Sequence, residues 1–216
     1  MSTLPRIEVA EVFAHALRGE ACFFTAPGQD PLRVPIEEWA RPVDDGDQAM
    51  LDLCEGATID LGCGPGRLTV ELGERGHCVL GVDVVYEAVL QTRRRGGVAL
   101  RRDLFDRLPG EGRWDTALLA DGNVGIGGDP VTLLARVRRL VGAGGRVVVE
   151  VASEHVRSTR LLARLECDCS ASGHFPWAIL GLGDVAPVAA AAGLVEIGRH
   201  RLDRERWVVV LQERDR

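Results

Sequence analysis

The stretch Thr58-Ile59-Asp60-Leu61-Gly62-Cys63-Gly64-Pro65-Gly66-Arg67-Leu68 decides the fold. A short β-rich run leads into three glycines at alternate positions, and an amphipathic helical pattern follows. A strand, a glycine loop and a helix in that order let a ligand lie against main-chain atoms, because glycine has no side chain to hold it off. The spacing is Gly-x-Gly-x-Gly. A dinucleotide fingerprint would need glycine at position 67, where this chain has Arg67. The carboxylate of Asp60, just ahead of the loop, is awkward for a pyrophosphate but suits a ligand carrying an ammonium group.

Working outward from the loop, β-rich runs alternate with helical stretches, the pattern of a parallel α/β sheet. Cys78–Val82 reads as the second strand, and Val98–Arg101, Thr116–Ala120 and Arg146–Val151 supply three more. Asp129-Pro130 opens a helix that runs to about Val141, and Gly142 to Gly145 turn the chain into the next strand. Asp184 opens an alanine-rich helix that Gly193 ends. Leu194–Arg201 and Trp207–Gln212 are joined only by Leu202-Asp203-Arg204-Glu205-Arg206. That connection cannot hold a crossover helix, so these two strands are antiparallel. The first 57 residues differ: one amphipathic helix carries Ile7, Val12, Phe13, Ala16 and Leu17, and prolines 27, 31, 35 and 42 then break up the chain. Residues 1–57 read as a helical and irregular cap on a ligand-binding domain of residues 58–216, with too little core to fold alone.

Acids recur where the strands end. Asp83 closes the second strand, followed by Val84, and can accept hydrogen bonds from both hydroxyls of a ribose. Asp103, followed by Leu104, sits past the third strand and can accept from an adenine amino group. Asp121 and Asn123 follow the fourth strand, where turn chemistry and ligand contact explain them equally well.

At these residues the sequence resembles the class I S-adenosylmethionine-dependent methyltransferases. Asp60 through Gly66 matches that family's first motif, Asp83 its ribose-binding acid and Asp103 its adenine-contacting acid. Trp114 through Asn123 is similar to its fourth-strand motif and Gly144 through Glu150 to its fifth-strand entry. The resemblance covers about residues 58–212. It implies a Rossmann-like, mostly parallel seven-stranded sheet in the order 3-2-1-4-5-7-6, with strand 7 antiparallel and helices on both faces. It implies S-adenosyl-L-methionine as cofactor, held by Asp60, Gly62, Cys63, Gly64, Gly66, Asp83, Val84, Asp103, Leu104, Asp121 and Asn123.

Composition narrows the chemistry. All 26 basic residues are arginine, so Schiff-base enzymes, P-loop nucleotidases, protein kinases and Tyr-x-x-x-Lys dehydrogenases are excluded. The net charge of −6 argues against general affinity for nucleic acid or an anionic membrane. With no secretory leader pattern and no long apolar run, the expected setting is a reducing cytoplasm with six free cysteines. Cys167-Asp168-Cys169 lacks a partnering Cys-x-x-Cys or paired histidines, so it reads as alternate residues of a strand, and no metal is expected.

The acceptor side is least explicit. His174 and His155 are the candidate general bases, needed only if the acceptor must lose a proton early. Phe23, Phe24 and Trp39 in the cap, with Phe175 and Trp177 in the segment 153–182, are candidates for the substrate pocket. A packed corner explains Phe175 and Trp177 equally well. The expected function is methyl transfer to a small molecule, with no membrane partner and nucleic acid disfavoured. The rivals are an RNA methyltransferase acting on ribose or base carbon, a non-catalytic cofactor-binding subunit, and a nicotinamide-dependent oxidoreductase, which Arg67 and Asp60 disfavour.

Overall fold

The computed structural model describes residues 5–28, 30–203 and 206–214; Arg204 and Glu205 of the last connection lie outside them. The N-terminal part contains strand β1 (Arg6–Ile7), helix α1 (Val9–Leu17), strands β2 (Cys22–Thr25) and β3 (Leu32–Arg33), and helices α2 (Ile36–Ala40) and α3 (Asp45–Leu51). Alternation then sets in with β4 (Thr58–Leu61), α4 (Arg67–Glu74), β5 (Val79–Asp83), α5 (Tyr86–Arg94) and β6 (Ala99–Arg101). It continues with β7 (Trp114–Leu119), α6 (Pro130–Arg138) and β8 (Val141–Ala152). Three strands follow, β9 (Thr159–Cys167), β10 (Ala171–Ser172) and β11 (Phe175–Ile179), before α7 (Val185–Ala191), β12 (Leu194–Arg201) and β13 (Arg206–Glu213). No helix of the described residues is long and apolar enough to cross a membrane.

The main sheet runs β12-β13-β8-β7-β4-β5-β6, and only β13 is antiparallel to its neighbours. This is the order that the resemblance implies. Period-two alternation splits its core. Ala117 and Leu119 face Leu133, Leu134 and Val137 of α6, whereas Leu118 and Val148 face α3 and α4 through Met50, Leu51, Leu68 and Leu72. One local expectation changes: Gly142 to Gly145 belong to β8. They form an irregularity in its pairing, with Trp114 opposite Val141 but Thr116 opposite Arg146. Helix α6 accordingly stops at Arg138, although Asp129 caps it as expected, accepting from the Val131 amide.

A second sheet covers the ends of the first. Its order is β1-β10-β9-β2-β3, with β11 also paired to β9. The N-terminal segment and residues 159–179 thus share one sheet, and one core in which Val12, Ala16 and Val34 pack with Leu165. Ile7 belongs to β1, not to the first helix. Two expectations about cysteine are corrected here. Cys22 and Cys167 face each other across β2 and β9 and form a disulfide, so they are not free thiols. Cys169 lies beyond the end of β9 and is exposed, so Cys167 and Cys169 do not share an inward strand face. The pairing joins positions 145 residues apart, and no local pattern announces it.

Candidate functional site

Parallel register brings the ends of β4, β5, β6 and β7 to one edge: Leu61 lies beside Val82, Asp83 beside Arg101, and Asp60 beside Leu118. Open α/β sheets bind ligands outside these carboxyl ends. A cavity of about 490 Å³ lies there, between the sheet edge and the cover. It is within the ~300–1,000 Å³ range of small-molecule sites.

The glycine loop forms one wall. Gly62 has φ of +77°, and a side chain there would meet Asn123 Nδ2 at 2.6 Å. Asn123 occupies that space because its amide donates to the carbonyls of Leu61 and Gly62, at 3.1 and 2.9 Å. Asn123 lines the cavity and braces the loop. Gly64, with φ of +53°, differs. A side chain there would meet nothing within 4 Å, so its open face borders the cavity and leaves main chain bare for a ligand. Gly66 is the N-cap of α4 and stands outside the lining.

The acids take distinct environments. Each carboxylate oxygen of Asp83 accepts one amide hydrogen, from Gly64 at 2.9 Å and Val85 at 2.8 Å, leaving lone pairs for ligand hydroxyls. Burial raises its pKa, against the pull of those amides. Asp60 is 2% exposed and accepts from the Thr69 hydroxyl at 2.6 Å. Burial pushes its pKa up to about 7, so a ligand cation is the partner its ionised form lacks. Asp103 is exposed and accepts from the Phe105 amide at 2.9 Å; Leu104 beside it is buried, and both line the cavity. Cys63 and Val84 line it too. These groups fit a ligand with an ammonium, a ribose and a flat base.

The sequence used Arg67 only to exclude a dinucleotide. In the structure Arg67 is buried between Asp121, bonded to both carboxylate oxygens at 2.7 and 2.8 Å, and the fully buried Asp47 of α3. Asp47 also holds Arg41 at 2.6 Å and Arg206 at 3.0 Å, and Arg206 reaches Glu150 at 2.8 Å. Burial opposes ionisation of Asp47, but hydrogen bonds from Arg67, Arg41 and Arg206 outweigh it and hold its carboxyl well below the usual range. Among the described residues Asp121 is the one non-glycine with positive φ, +50°. That strained conformation, which locally costs about 1–3 kcal/mol, is held by Arg67 and by the Asp121 amide donating to Glu150 at 3.0 Å. The Asp44/Asp47 capping box that starts α3 is the signal that could have located this network.

The opposite wall is apolar. Helix α1 contributes Val9, Ala10, Phe13 and Leu17; β2 contributes Phe24, α2 contributes Trp39 and β11 contributes Phe175 to Trp177. The rings of Phe175 and Trp177 meet edge to face at 6.4 Å, and Trp177 bridges to Ile126. Phe23 lies on the other face of β2, 36% exposed, outside the lining. The two candidate bases are also elsewhere. The His155 side chain is 88% exposed beside Glu154, and His174 is exposed in the turn before β11. Both belong to polar surface turns, which sequence proximity to Trp177 could not reveal.

With this geometry in place, comparison with known proteins is direct. Residues 59–145 match a family model described as a methyltransferase domain. No curated protein sequence matches the chain. A SAM-dependent methyltransferase from Bacteroides fragilis, solved with S-adenosyl-L-homocysteine, aligns over 98% of both chains with TM-score 0.80 and 17% identity. A TehB-like SAM-dependent methyltransferase from Corynebacterium glutamicum aligns over 95% of this chain and 98% of its own, with TM-score 0.59 and 20% identity. The 1,6-didemethyltoxoflavin-N1-methyltransferase of Burkholderia thailandensis aligns over 80% of each chain, with TM-score 0.60 and 21% identity.

Proposed function

From a methyltransferase domain spanning residues 59–145 and built on the class I fold, we propose that this enzyme methylates a small, largely apolar acceptor using S-adenosyl-L-methionine. The observation that carries this reading is the one-sidedness of the cavity. Its charged groups, Asp60, Arg67, Asp83, Arg102, Asp103 and Asp121, all come from the sheet side, while the cover presents only aliphatic and aromatic side chains. The neighbour from Burkholderia thailandensis, named for and solved with 1,6-didemethyltoxoflavin, is consistent with this reading. The net charge of −6 favours such an acceptor over a polyanionic RNA.

On this reading Asp83 takes the ribose hydroxyls, Asp60 the ammonium, Asp103 and Leu104 the adenine, and the main chain at Gly62 to Gly64 the methionine part. The cofactor supplies an electrophilic methyl carbon on its sulfonium. The chain's own contribution is to exclude water and to hold the acceptor in line at about 3 Å. No imidazole lines the cavity among the described residues. Thr69 binds Asp60, main-chain amides bind Asp83 and Asp103, and Arg67 binds Asp121. The acceptor atom is therefore one that needs no proton removed by the protein, such as an amine lone pair, a thiolate or an acidic phenolate.

The test is transfer of labelled methyl to three acceptor sets: aromatic amines, thiols and acidic phenols; aliphatic alcohols of similar size; and total RNA. Label in the first set supports the reading. Label confined to RNA, or cofactor binding with no transfer to any set, overturns it.

A further inference from the structure

The motif Cys167-Asp168-Cys169 acquires partners through the cover. Cys169 in the turn between β9 and β10 reaches Glu20 Oε2 at 3.4 Å and His15 Nδ1 at 3.9 Å, and His15 Nδ1 meets Glu20 Oε1 at 2.6 Å. The three donor atoms lie within 4.8 Å of one another. We propose that His15, Glu20 and Cys169 form a zinc-type divalent metal site that clips the N-terminal segment to the β9–β10 turn.

Several features converge on this site. Imidazole nitrogen, carboxylate oxygen and thiolate sulfur are the donor set of Zn²⁺, which is usually bound tetrahedrally. Ligand bonds of ~2.0–2.3 Å at tetrahedral angles separate neighbouring donors by roughly 3.3–3.8 Å. The two distances to sulfur are already close to this, and only the His15–Glu20 pair must open. Glu20 and Cys169 are exposed and His15 is half-buried, so the side chains can adjust and water can take the fourth position. Cys22 pairs with Cys167, and just past that pair the chain turns back between Cys167 and Ser170, which leaves Cys169 within reach of Glu20. On binding, the Cys169 thiol gives its proton to solvent and its sulfur forms the metal bond, while the proton that His15 Nδ1 donates to Glu20 is exchanged through solvent onto Nε2, which frees the Nδ1 lone pair for the metal.

The location gives the clip a consequence. His15 is in the last turn of α1, the helix that turns Phe13 and Leu17 toward the cavity. The same two parts of the chain are joined by Cys22–Cys167. A bound metal therefore ties together the two segments that build the cover, whatever acceptor the cavity takes.

The experiment uses full-length protein, stripped with chelator, with Cys22–Cys167 kept oxidised. Zn²⁺ is titrated by calorimetry, and Co²⁺ reports thiolate ligation by its ligand-to-metal charge-transfer band. One equivalent, a charge-transfer band and a zinc-dependent rise in melting temperature are expected. Cys169→Ser should abolish the band, and Glu20→Gln should weaken binding on the order of tenfold or more. Circular dichroism of both variants checks that these surface changes leave the fold intact. Absence of the band, or a band that persists in Cys169→Ser, overturns the proposal.

Discussion

The two walls of the cavity are built by opposite strategies. The sheet wall draws its polar groups from short segments at strand ends and fixes them by hydrogen bonds and backbone geometry: Asp83 by two amides, Asn123 by two carbonyls, Asp60 by the Thr69 hydroxyl, Asp121 by Arg67 and Gly64 by its backbone angle. The cover wall assembles α1, β2, α2 and β11 from distant parts of the chain, and its side chains are held by packing alone. One wall is specific through hydrogen bonds and the other through shape. On the proposed reading, cofactor binding depends on single atoms of the first wall, and acceptor choice on the volumes of the second.

Gly64→Val should break the sheet wall outright. It puts a branched side chain on the open face at a φ of +53°, and cofactor binding should fall below detection by calorimetry. Gly73→Val, inside α4 with ordinary contact to Val79 at 3.7 Å, should leave binding nearly unchanged. Equal effects at the two sites would remove the loop's special status.

Asp47→Ala comes next. It leaves Arg67 without its partner in α3 and should cost about 3–5 kcal/mol, read as a shift in denaturant midpoint. This network was invisible in the sequence for a physical reason. The strand, glycine loop and helix of 58–68 announce themselves through neighbouring residues, as do the alternation to β8 and the antiparallel β12–β13 pair. Asp47, Arg67, Asp121, Glu150 and Arg206 come together only after the sheet forms. The cover hid itself in the same way: β2 and β9 pair across the whole domain, so the disulfide and the true lining could not be read locally. Phe24, Trp39, Phe175 and Trp177, candidates by aromatic content, line the cavity, whereas Phe23, His155 and His174 lie outside its lining, because strand face and turn exposure depend on register.

A smaller effect sharpens the electrostatic half of the comparison. The pKa of Asp60 is raised to about 7, so its protonated form favours the folded chain. Without ligand, that contribution is complete below the ordinary carboxylate value and is lost as pH rises to about 7. A ligand ammonium favours the ionised form, so cofactor affinity should rise with pH across the same window and level off above it. Melting temperature and cofactor affinity against pH check both slopes. Asp60→Asn should flatten each of them, and slopes unchanged in that variant would assign the titration elsewhere.

The division of labour between the walls is tested most directly by calorimetric titration of S-adenosyl-L-methionine into the wild type, Asp83→Ala and Trp177→Ala. Loss of charge-assisted hydrogen bonds, ~1.5–3 kcal/mol each, should weaken binding to Asp83→Ala by about tenfold or more. Trp177→Ala, a change in the opposite wall, should bind within about threefold of the wild type, because the ring lost makes no hydrogen bond to the cofactor on this reading. Undiminished affinity in Asp83→Ala, or a larger loss in Trp177→Ala than in Asp83→Ala, would contradict the assignment of cofactor to the sheet wall and acceptor to the cover.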